Sequence, residues 1–512
     1  MTTMDVVIAG GGPTGLMLAS ELRLGGAEVI VLEQLPTQTG LSKALGLAGR
    51  AVQTFNYRGL LERFDAGFPP GVEYSRFLHF GGIPLDLGRL VASAPPGYFP
   101  PGVPAKQAQV EAVLEGRARE LGAQIRRGHE VVGLFQNEEY VTLDVRGPDG
   151  PYRLTARYVV GCDGARSLVR RQAGIGFPGT QPTLLSRLGD VTLDKPEGVP
   201  IGMVRTAAGG FASVPFGEGV YRIVTTEPGQ DIDRDSPPTL DELRASVRRV
   251  LGVDLAMSQP RWLSRFTDAA RQADRYRAGR VLVAGDAAHI QLPAGGPGMT
   301  TGLQDAANLG WKLAGQIGGW APPGLLDTYH AERHPVAERM LWFTRAQGVL
   351  LTPGDHVNAL RDLMGNLFTH EQTLRYVVDR LLGLDIRYDP DDSSAHRLVG
   401  GWAPDLALTT EHGDLRLATL MHAARPVLVD LTPDGRLRDA AAAWEDRVET
   451  TVARSGEPLD AVLMRPDGYV AWAAGSGGGD ASGLRRALVT WFGAATDRRT
   501  HGPPSGHMDR HL

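Results

Sequence analysis

Gly10-Gly11-Gly12-Pro13-Thr14-Gly15 sets three glycines at G-x-G-x-x-G spacing. In that spacing the first glycine, Gly10, permits a tight turn. The second, Gly12, lets backbone approach a pyrophosphate, and the third, Gly15, lets a helix pack closely on a strand. A helix opening at such a turn directs its positive end at the phosphates. Glu33, about 20 residues on, is a carboxylate in the place that accepts hydrogen bonds from ribose hydroxyls. The chemistry this implies is the binding of a dinucleotide; the turn alone does not separate NAD from FAD. Two more carboxylates follow apolar runs. Asp163 lies in Cys162-Asp163-Gly164-Ala165-Arg166-Ser167, and Asp286 in Ala284-Gly285-Asp286-Ala287-Ala288-His289.

These residues need strands and helices to hold them. Val6-Val7-Ile8-Ala9 reads as a buried parallel strand, Leu16 to Leu24 has helical spacing, and Glu28 to Glu33 reads as a second strand. Strand, turn, helix, strand is a βαβ start, so a parallel sheet is expected. Tyr158-Val159-Val160-Gly161 and Arg280-Val281-Leu282-Val283-Ala284 read as further buried strands, each running into one of the carboxylate segments. Gln107 to Leu121 reads as an amphipathic helix, and Pro148-Asp149-Gly150 is a hairpin signal. Residues 72–105 are rich in Gly and Pro and read as an excursion from that sheet. Residues 181–272 alternate short β-like runs with turns and read as a separate mixed sheet. A long helical stretch is expected from Thr300 to about Ile317, with more helices to about 384. Tyr388 to Ser394 reads as a polar linker, followed by a small α/β domain, and 500–512 as a frayed tail.

The chain has 512 residues, enough for two or three domains. With 42% hydrophobic and 22% charged residues it reads as an ordinary globular protein, and a formal charge of −5 gives no basic footprint for nucleic acid or an anionic membrane. No apolar run reaches the roughly 20 residues that cross a bilayer. The first residues do not read as a signal peptide. Cys162 is the single cysteine, which points to a reducing, cytoplasmic setting and leaves no intramolecular disulfide.

Taken in order, the glycine turn, the Asp-Gly segment and the Gly-Asp segment resemble the fingerprints of the group A flavoprotein hydroxylases, the para-hydroxybenzoate hydroxylase type. The resemblance covers essentially the whole chain. His79-Phe80-Gly81-Gly82, Arg126 to Val131 and Tyr329 to His334 resemble the branch that acts on angucycline-type aromatic polyketides. Trp402 to Leu406 and Leu463 to Gly468 resemble the thioredoxin-like tail of that branch. The implied fold is α/β: a Rossmann-like FAD-binding domain (1–180 and 273–390), a mixed-sheet substrate domain (181–272) and a thioredoxin-like domain (391–499). The tail contains no cysteine, so it is expected to serve structure or association and not thiol–disulfide exchange.

The resemblance implies FAD as cofactor and NADPH or NADH as co-substrate. It implies FAD contacts from Gly10, Gly12, Pro13, Thr14, Gly15, Glu33, Gln34, Lys43, Arg50, Gln107, Asp163, Gly164, Gly285, Asp286, Pro293, Gly298, Met299 and Thr300. Arg166 is expected at the phosphates of the nicotinamide cofactor, where a bidentate guanidinium is useful. Asp163 and Asp286 have a plainer alternative, as caps of the turns after their strands, and Arg166 as a surface ion pair. A helix starting near Met299 would aim its positive end at the flavin N1–C2 region, with Thr300 as its cap. The family has Gln where Pro297 stands and Asn where Thr300 stands, which marks a specialised member.

The implied reaction is hydroxylation of an aromatic polyketide, angucyclinone-like, by O₂ through a flavin C4a-hydroperoxide, with Pro293, Gly296 and Pro297 walling the peroxide pocket. Baeyer–Villiger insertion on the same substrates is an alternative, and a flavin-binding protein without turnover is another, motivated by Pro297 and Thr300. The middle region offers Met203, Phe211, Phe216, Tyr221 and Trp262, with Phe80 from outside it, to a flat polycyclic ligand; each has core packing as its alternative. His289 is expected to be tied into its turn. No metal site is expected, and the chain is expected to be a monomer or homodimer.

Overall fold

The computed structural model describes residues 3–64, 78–92, 102–230, 236–388, 395–478 and 480–496. The expected tail at 500–512 and most of the expected linker lie outside the described residues, as does much of the Gly/Pro-rich excursion. The chain forms two compact units, 1–314 with 327–386, and 315–326 with 387–512. Residues 315–326, expected with the FAD-binding domain, group with the C-terminal unit.

In the first unit, β1 (Met4–Ala9) leads through the glycine turn into α1 (Pro13–Leu24) and β2 (Val29–Glu33). Helix α2 (Arg50–Tyr57) follows, then α3 (Gln107–Glu120) and strands β3 (Gln124–Arg127), β4 (Glu130–Gln136), β5 (Val141–Gly147) and β6 (Gly150–Gly161). α4 (Leu168–Gln172) follows β6. The second sheet is built from β7 (Leu184–Leu193), β8 (Gly202–Thr206), β9 (Gly209–Gly217), β10 (Val220–Pro228) and β11 (Met257–Thr267), with α5 (Leu240–Leu251) before its last strand. Chain then returns to the first sheet as β12 (Arg277–Ala278) and β13 (Val281–Val283). β14 (His289–Ile290), α6 (Pro297–Ile317), α7 (Thr328–Leu351), α8 (Asp355–Leu367) and α9 (Glu371–Leu382) complete the unit's chain.

The first sheet has the order β12-β13-β6-β1-β2-β3, with β5 and β4 hairpinned onto β6. Its centre is parallel: β1 pairs β6 and β2, β6 pairs β13, and β2 pairs β3. Val6, Val7, Ile8, Val31, Val159, Val160 and Leu282 are all buried, as both-face-covered parallel strands require. Because the strands are parallel, the ends of β1, β2, β6 and β13 lie along one edge, which is where ligands bind on such sheets. All three motifs therefore meet there.

The second sheet, expected to be mixed, runs antiparallel throughout in the order β8-β9-β10-β7-β11. Neighbours in sequence join by short turns, which only antiparallel pairing allows. Helix α5 covers one face. Thr239 caps its start by accepting the Glu242 N–H, and Gly252, left-handed, ends it. Its Leu243, Val247 and Val250 pack with Val191, Phe211 and Ile223.

The second unit carries a four-stranded sheet of β15 (Val427–Asp430), β16 (Glu449–Val452), β17 (Leu459–Met464) and β18 (Val470–Gly475), in the order β16-β15-β17-β18. β15 and β16 are parallel and the other pairs antiparallel, which is the thioredoxin-like arrangement. α10 (Ala481–Phe492) follows, its start capped by Asp480 accepting the Ser482 and Gly483 N–H groups.

Candidate active site

The glycine turn does three separable things. Gly10 has φ +109°, and a Cβ there would fall 2.3 Å from the Cys162 carbonyl oxygen. A Cβ on Gly15 would fall 2.0 Å from the Gly10 carbonyl oxygen, so helix and turn touch through missing side chains. A Cβ on Gly12 would meet nothing within 4 Å. Gly12 therefore faces open space at the start of α1, where backbone N–H groups have no helical partner. Pro13 holds the first helical position, where no N–H is needed. Glu33 Oε2 accepts the Gly11 N–H at 2.7 Å and its Oε1 the Leu35 N–H at 2.8 Å. The carboxylate is thus fixed at the end of β2 with acceptor capacity left for hydroxyls. Gln34 beside it is exposed.

The turn after β13 is bound to the first by packing. Thr14 Oγ1 lies where a Cβ of Gly285 or Gly302 would go, 2.6 and 2.4 Å from those positions. Asp286 is exposed although Gly285 and Ala287 on either side are buried. A single-turn 3₁₀ segment, Gly285–Ala287, presents it, and there is no helix there for it to cap. An exposed carboxylate on a rigid, buried turn fits a cofactor hydroxyl.

What rigidifies that turn is a buried ionic cluster. Asp305 on α6 accepts from His289 Nε2 at 2.7 Å, from Arg333 Nε on α7 at 2.8 Å, and from the Gly285 N–H at 3.2 Å. All three side chains have 0% exposure. Burial pushes the Asp305 carboxyl up, but His289 and Arg333 outweigh it and hold it below the usual carboxylate range. Tyr329 adds a hydrogen bond to the Val283 carbonyl. Sequence reasoning had no access to Asp305 and Arg333, which are 28 residues apart on two helices.

Asp163 is engaged within its own segment. Its carboxylate accepts the Ser167 hydroxyl and the Leu168 and Val169 N–H groups, at 2.7 and 3.1 Å for the latter two. It holds the start of α4, the plainer alternative. Gly164 is left-handed and open, and Arg166 is exposed. Burial pushes the Cys162 thiol up, and Asp163 and Asp305 add to this, which disfavours the reactive thiolate.

Arg50 is also engaged by the protein itself. Its guanidinium is buried and donates to the Gly383 and Leu384 carbonyls and to Gln53, tying α2 to the end of α9. Gln107 accepts the Ala44 N–H at 3.4 Å and donates to Glu111, so it pins segment 43–44 to α3. Lys43 is exposed there. α6 starts at Pro297, two residues ahead of Met299, so Pro297 takes a first-turn place where its missing N–H costs nothing. Thr300 is inside the first turn and donates to the Ala48 carbonyl at 3.4 Å instead of capping. Pro293 and Gly296 form an exposed turn, with the Gly296 N–H on the Pro293 carbonyl at 3.1 Å. Met299 and Gly298 follow on α6, partly exposed.

Of the residues offered for substrate, Met203 and Trp262 lie on the sheet face away from α5. Strand side chains alternate. On β10, Tyr221, Ile223, Thr225 and Glu227 point at α5, where Ser246 bonds Thr225 and Glu227. Phe211 pairs with Thr225 and shares that face, 1% exposed in the α5 core, with Tyr221 packed against the same cluster. Phe80 is buried between Phe343 and Phe368, with ring centroids 4.8 and 5.9 Å away. The opposite sheet face carries Met203, Ala212, Val224, Leu188, Trp262 and Arg222. Its edge packs Leu184 and Phe266 on Leu292 and Ala294 of the loop before α6. Met203 sulfur lies 2.8 Å from a Cβ built on Gly82.

The residue missed on that face is Arg222. It forms a two-pronged pair with Asp190, both contacts 2.8 Å, and is 4% exposed. It also donates to the Lys43 carbonyl at 3.2 Å, and its guanidinium lies 5.0 and 5.1 Å from the Phe216 and Trp262 rings. Asp190 and Arg222 stand in strand-like runs that also carry Arg187 and Glu227, so their pairing is visible only from the register.

The His79–Gly82 hairpin borders this space. His79 Nδ1 accepts the Gly82 N–H at 3.2 Å, and Arg361 donates to the Gly81, Gly82 and Leu350 carbonyls. Burial, and then Arg361, push the His79 pKa down to about 4. The folded state favours neutral His79, so its contribution is full above the unfolded value near 6.5 and is lost as pH falls toward 4. We expect this to cost at most about 3 kcal/mol. Urea midpoints of wild type and His79→Gln, measured from pH 7 to 4.5, should converge at the acid end; parallel curves would refute the assignment.

Residues 3–344 match the family described as FAD binding domain, and 396–495 match that described as aromatic-ring hydroxylase, C-terminal. The chain is 46% identical over 506 residues to a 12-dehydrotetracycline 5-monooxygenase/anhydrotetracycline 6-monooxygenase of Streptomyces rimosus, covering 96% of this chain and 99% of that one. It is 40% identical over 502 residues to a dialkyldecalin synthase of Streptomyces rugosporus, with the same coverage. The solved structure of CabE, an aromatic hydroxylase from angucycline biosynthesis, superimposes with TM-score 0.88 at 43% identity, covering 96% and 100% of the two chains. With the glycine cradle, the fixed Glu33 and the exposed Asp286 all suited to FAD, the chain belongs to the group A FAD-dependent aromatic hydroxylases.

Proposed function

We propose that this protein is an FAD- and NAD(P)H-dependent monooxygenase that hydroxylates an aromatic polyketide of angucyclinone type. The observation that carries the substrate class is the open face of the second sheet. It is broad and mostly apolar, it lies against the loop before α6, and it holds one buried charge pair, Arg222–Asp190. Such a face suits a flat polycycle bearing a phenolic or enolic oxygen. The two named monooxygenase relatives of full length, one on tetracyclines and one from angucycline biosynthesis, support the same class.

FAD, when bound, supplies the redox chemistry with the nicotinamide cofactor and O₂. Glu33 and Asp286 would hold its hydroxyls, and the open Gly12 edge its pyrophosphate. The α6 N-terminus offers positive potential to an anionic flavin ring. Arg222 would hold the substrate oxygen as an anion, which activates the ring carbon beside it. The loop at 293–297 and the apolar sheet face would exclude water. Arg166, exposed beyond α4's start, is proposed for the nicotinamide cofactor's phosphates. We propose that three domains, 1–180 with 273–390, 181–272 and 391–499, carry this function.

Incubation with FAD, NADPH, ¹⁸O₂ and a panel of polycyclic phenols should give one product carrying one labelled oxygen. A labelled phenol supports hydroxylation; a hydrolysable lactone would mean Baeyer–Villiger insertion instead. The dialkyldecalin synthase relative favours one second reading, an FAD protein that shapes a substrate without oxygenating it. FAD bound, with no NADPH oxidation stimulated by any panel member, would select it. For Arg222→Met, ligand affinity should fall about tenfold to a hundredfold, as for a lost charge-assisted hydrogen bond. FAD content should stay unchanged. Unaltered affinity by fluorescence titration would remove Arg222 from the site.

A further inference from the structure

Pro297 opens α6 without an amide, in the position where the resemblance expects a glutamine. A different glutamine approaches the same turn. Gln291 follows β14, and its side-chain amide lies beside Gly298, where a Cβ would fall 2.6 Å from Gln291 Nε2. Gly298 is partly exposed and second in the helix. Its lack of a side chain is what admits the amide. The other end of that amide, Oε1, is buried and has no hydrogen-bond partner among the described residues. Buried acceptors of this kind are nearly always satisfied, so an orphan points to a missing partner. Gln291 sits between the Gly285–Asp286 turn and the loop at 293–297, on the stretch that runs along the cofactor edge of the sheet.

We propose that Gln291 supplies the flavin ring with the side-chain amide that position 297 lacks. The free atom is an acceptor. An oxidised isoalloxazine has one N–H, at N3, and that is the group Oε1 would take. Gln291 is then a positioning residue for the ring, admitted by Gly298 and standing in for the amide that Pro297 lacks. The inference needs bound FAD only, so it stands apart from any reading of the substrate.

The test is made on purified protein with FAD and no substrate. For Gln291→Leu, the FAD dissociation constant from fluorescence quenching should rise roughly fivefold to tenfold, as for one lost hydrogen bond. The N3–H bending band of the bound flavin, read by Raman spectroscopy as its shift in D₂O, should move toward that of free FAD. Gly298→Ala leaves residue 291 intact but displaces its amide, and should reproduce both changes, which keeps the idea testable if Gln291→Leu does not fold. Adding Pro297→Gln to Gln291→Leu should restore affinity. Unchanged affinity and an unchanged N3–H band in the single variants would overturn the proposal, as would failure of the double variant to regain either.

Discussion

Asp305→Ala should destabilise the protein by about 3–5 kcal/mol, the range for breaking a buried ion pair from one side. The cost arises from what remains. Arg333 has no exposure and is always charged, so without Asp305 its buried guanidinium loses that carboxylate while its bond to the Thr301 carbonyl at 3.2 Å remains. The effect should reach the cofactor as well. Asp305 also receives the Gly285 N–H, and Gly285 carries Asp286. A loosened turn should lower FAD affinity beyond what the stability loss explains. Arg333→Leu combined with Asp305→Leu should cost less than the sum of the singles, because the second change removes the stranded charge. Urea denaturation of apo and FAD-loaded protein would measure both parts. A loss under about 1 kcal/mol, or additive singles, would show the cluster to be ordinary packing.

That cluster also marks the limit of what the sequence disclosed. The glycine turn and both carboxylate segments were legible because each is local: a buried strand runs straight into its turn within a few residues. Asp163 and Asp286 look alike in sequence, yet only one is free. The difference is the helix that begins at Leu168 and needs a cap, with Ser167 before it; Asp286 has no helix to serve. Sheet faces were harder. Phe211, Tyr221 and Met203 all fit a strand, and a one-residue phase decides whether each meets α5 or the open face. That phase is fixed by the pairing of Phe211 with Thr225 and Met203 with Ala212, which no single strand reveals. The partners of Arg50 were hidden for another reason. Its partners are carbonyls at 383 and 384, more than 300 residues away, and a guanidinium beside a cofactor segment reads the same whether it turns to the cofactor or away.

Glycine to alanine inside a helix normally stabilises by about 0.5–1 kcal/mol, and Gly116 on α3, with nothing within 4 Å of an added Cβ, should behave that way. Gly15→Ala should do the opposite. Its Cβ would lie 2.0 Å from the Gly10 carbonyl oxygen, a backbone atom that cannot rotate aside. α1 must then withdraw from the turn, and its first N–H groups with it. We expect loss of thermal stability in the apoprotein and at least a hundredfold weaker FAD binding, about 3 kcal/mol. Gly12→Ala separates the two effects. Its Cβ enters space that is empty of protein, so the apoprotein should melt where wild type does. The same methyl occupies the approach to the pyrophosphate, so FAD should still bind poorly. Melting curves and FAD titrations of the three variants decide the matter. If Gly12→Ala binds FAD as wild type does, the open edge of the turn is not where the phosphates lie. If Gly15→Ala melts like Gly116→Ala, the close contact between α1 and the turn is not what shapes the cradle.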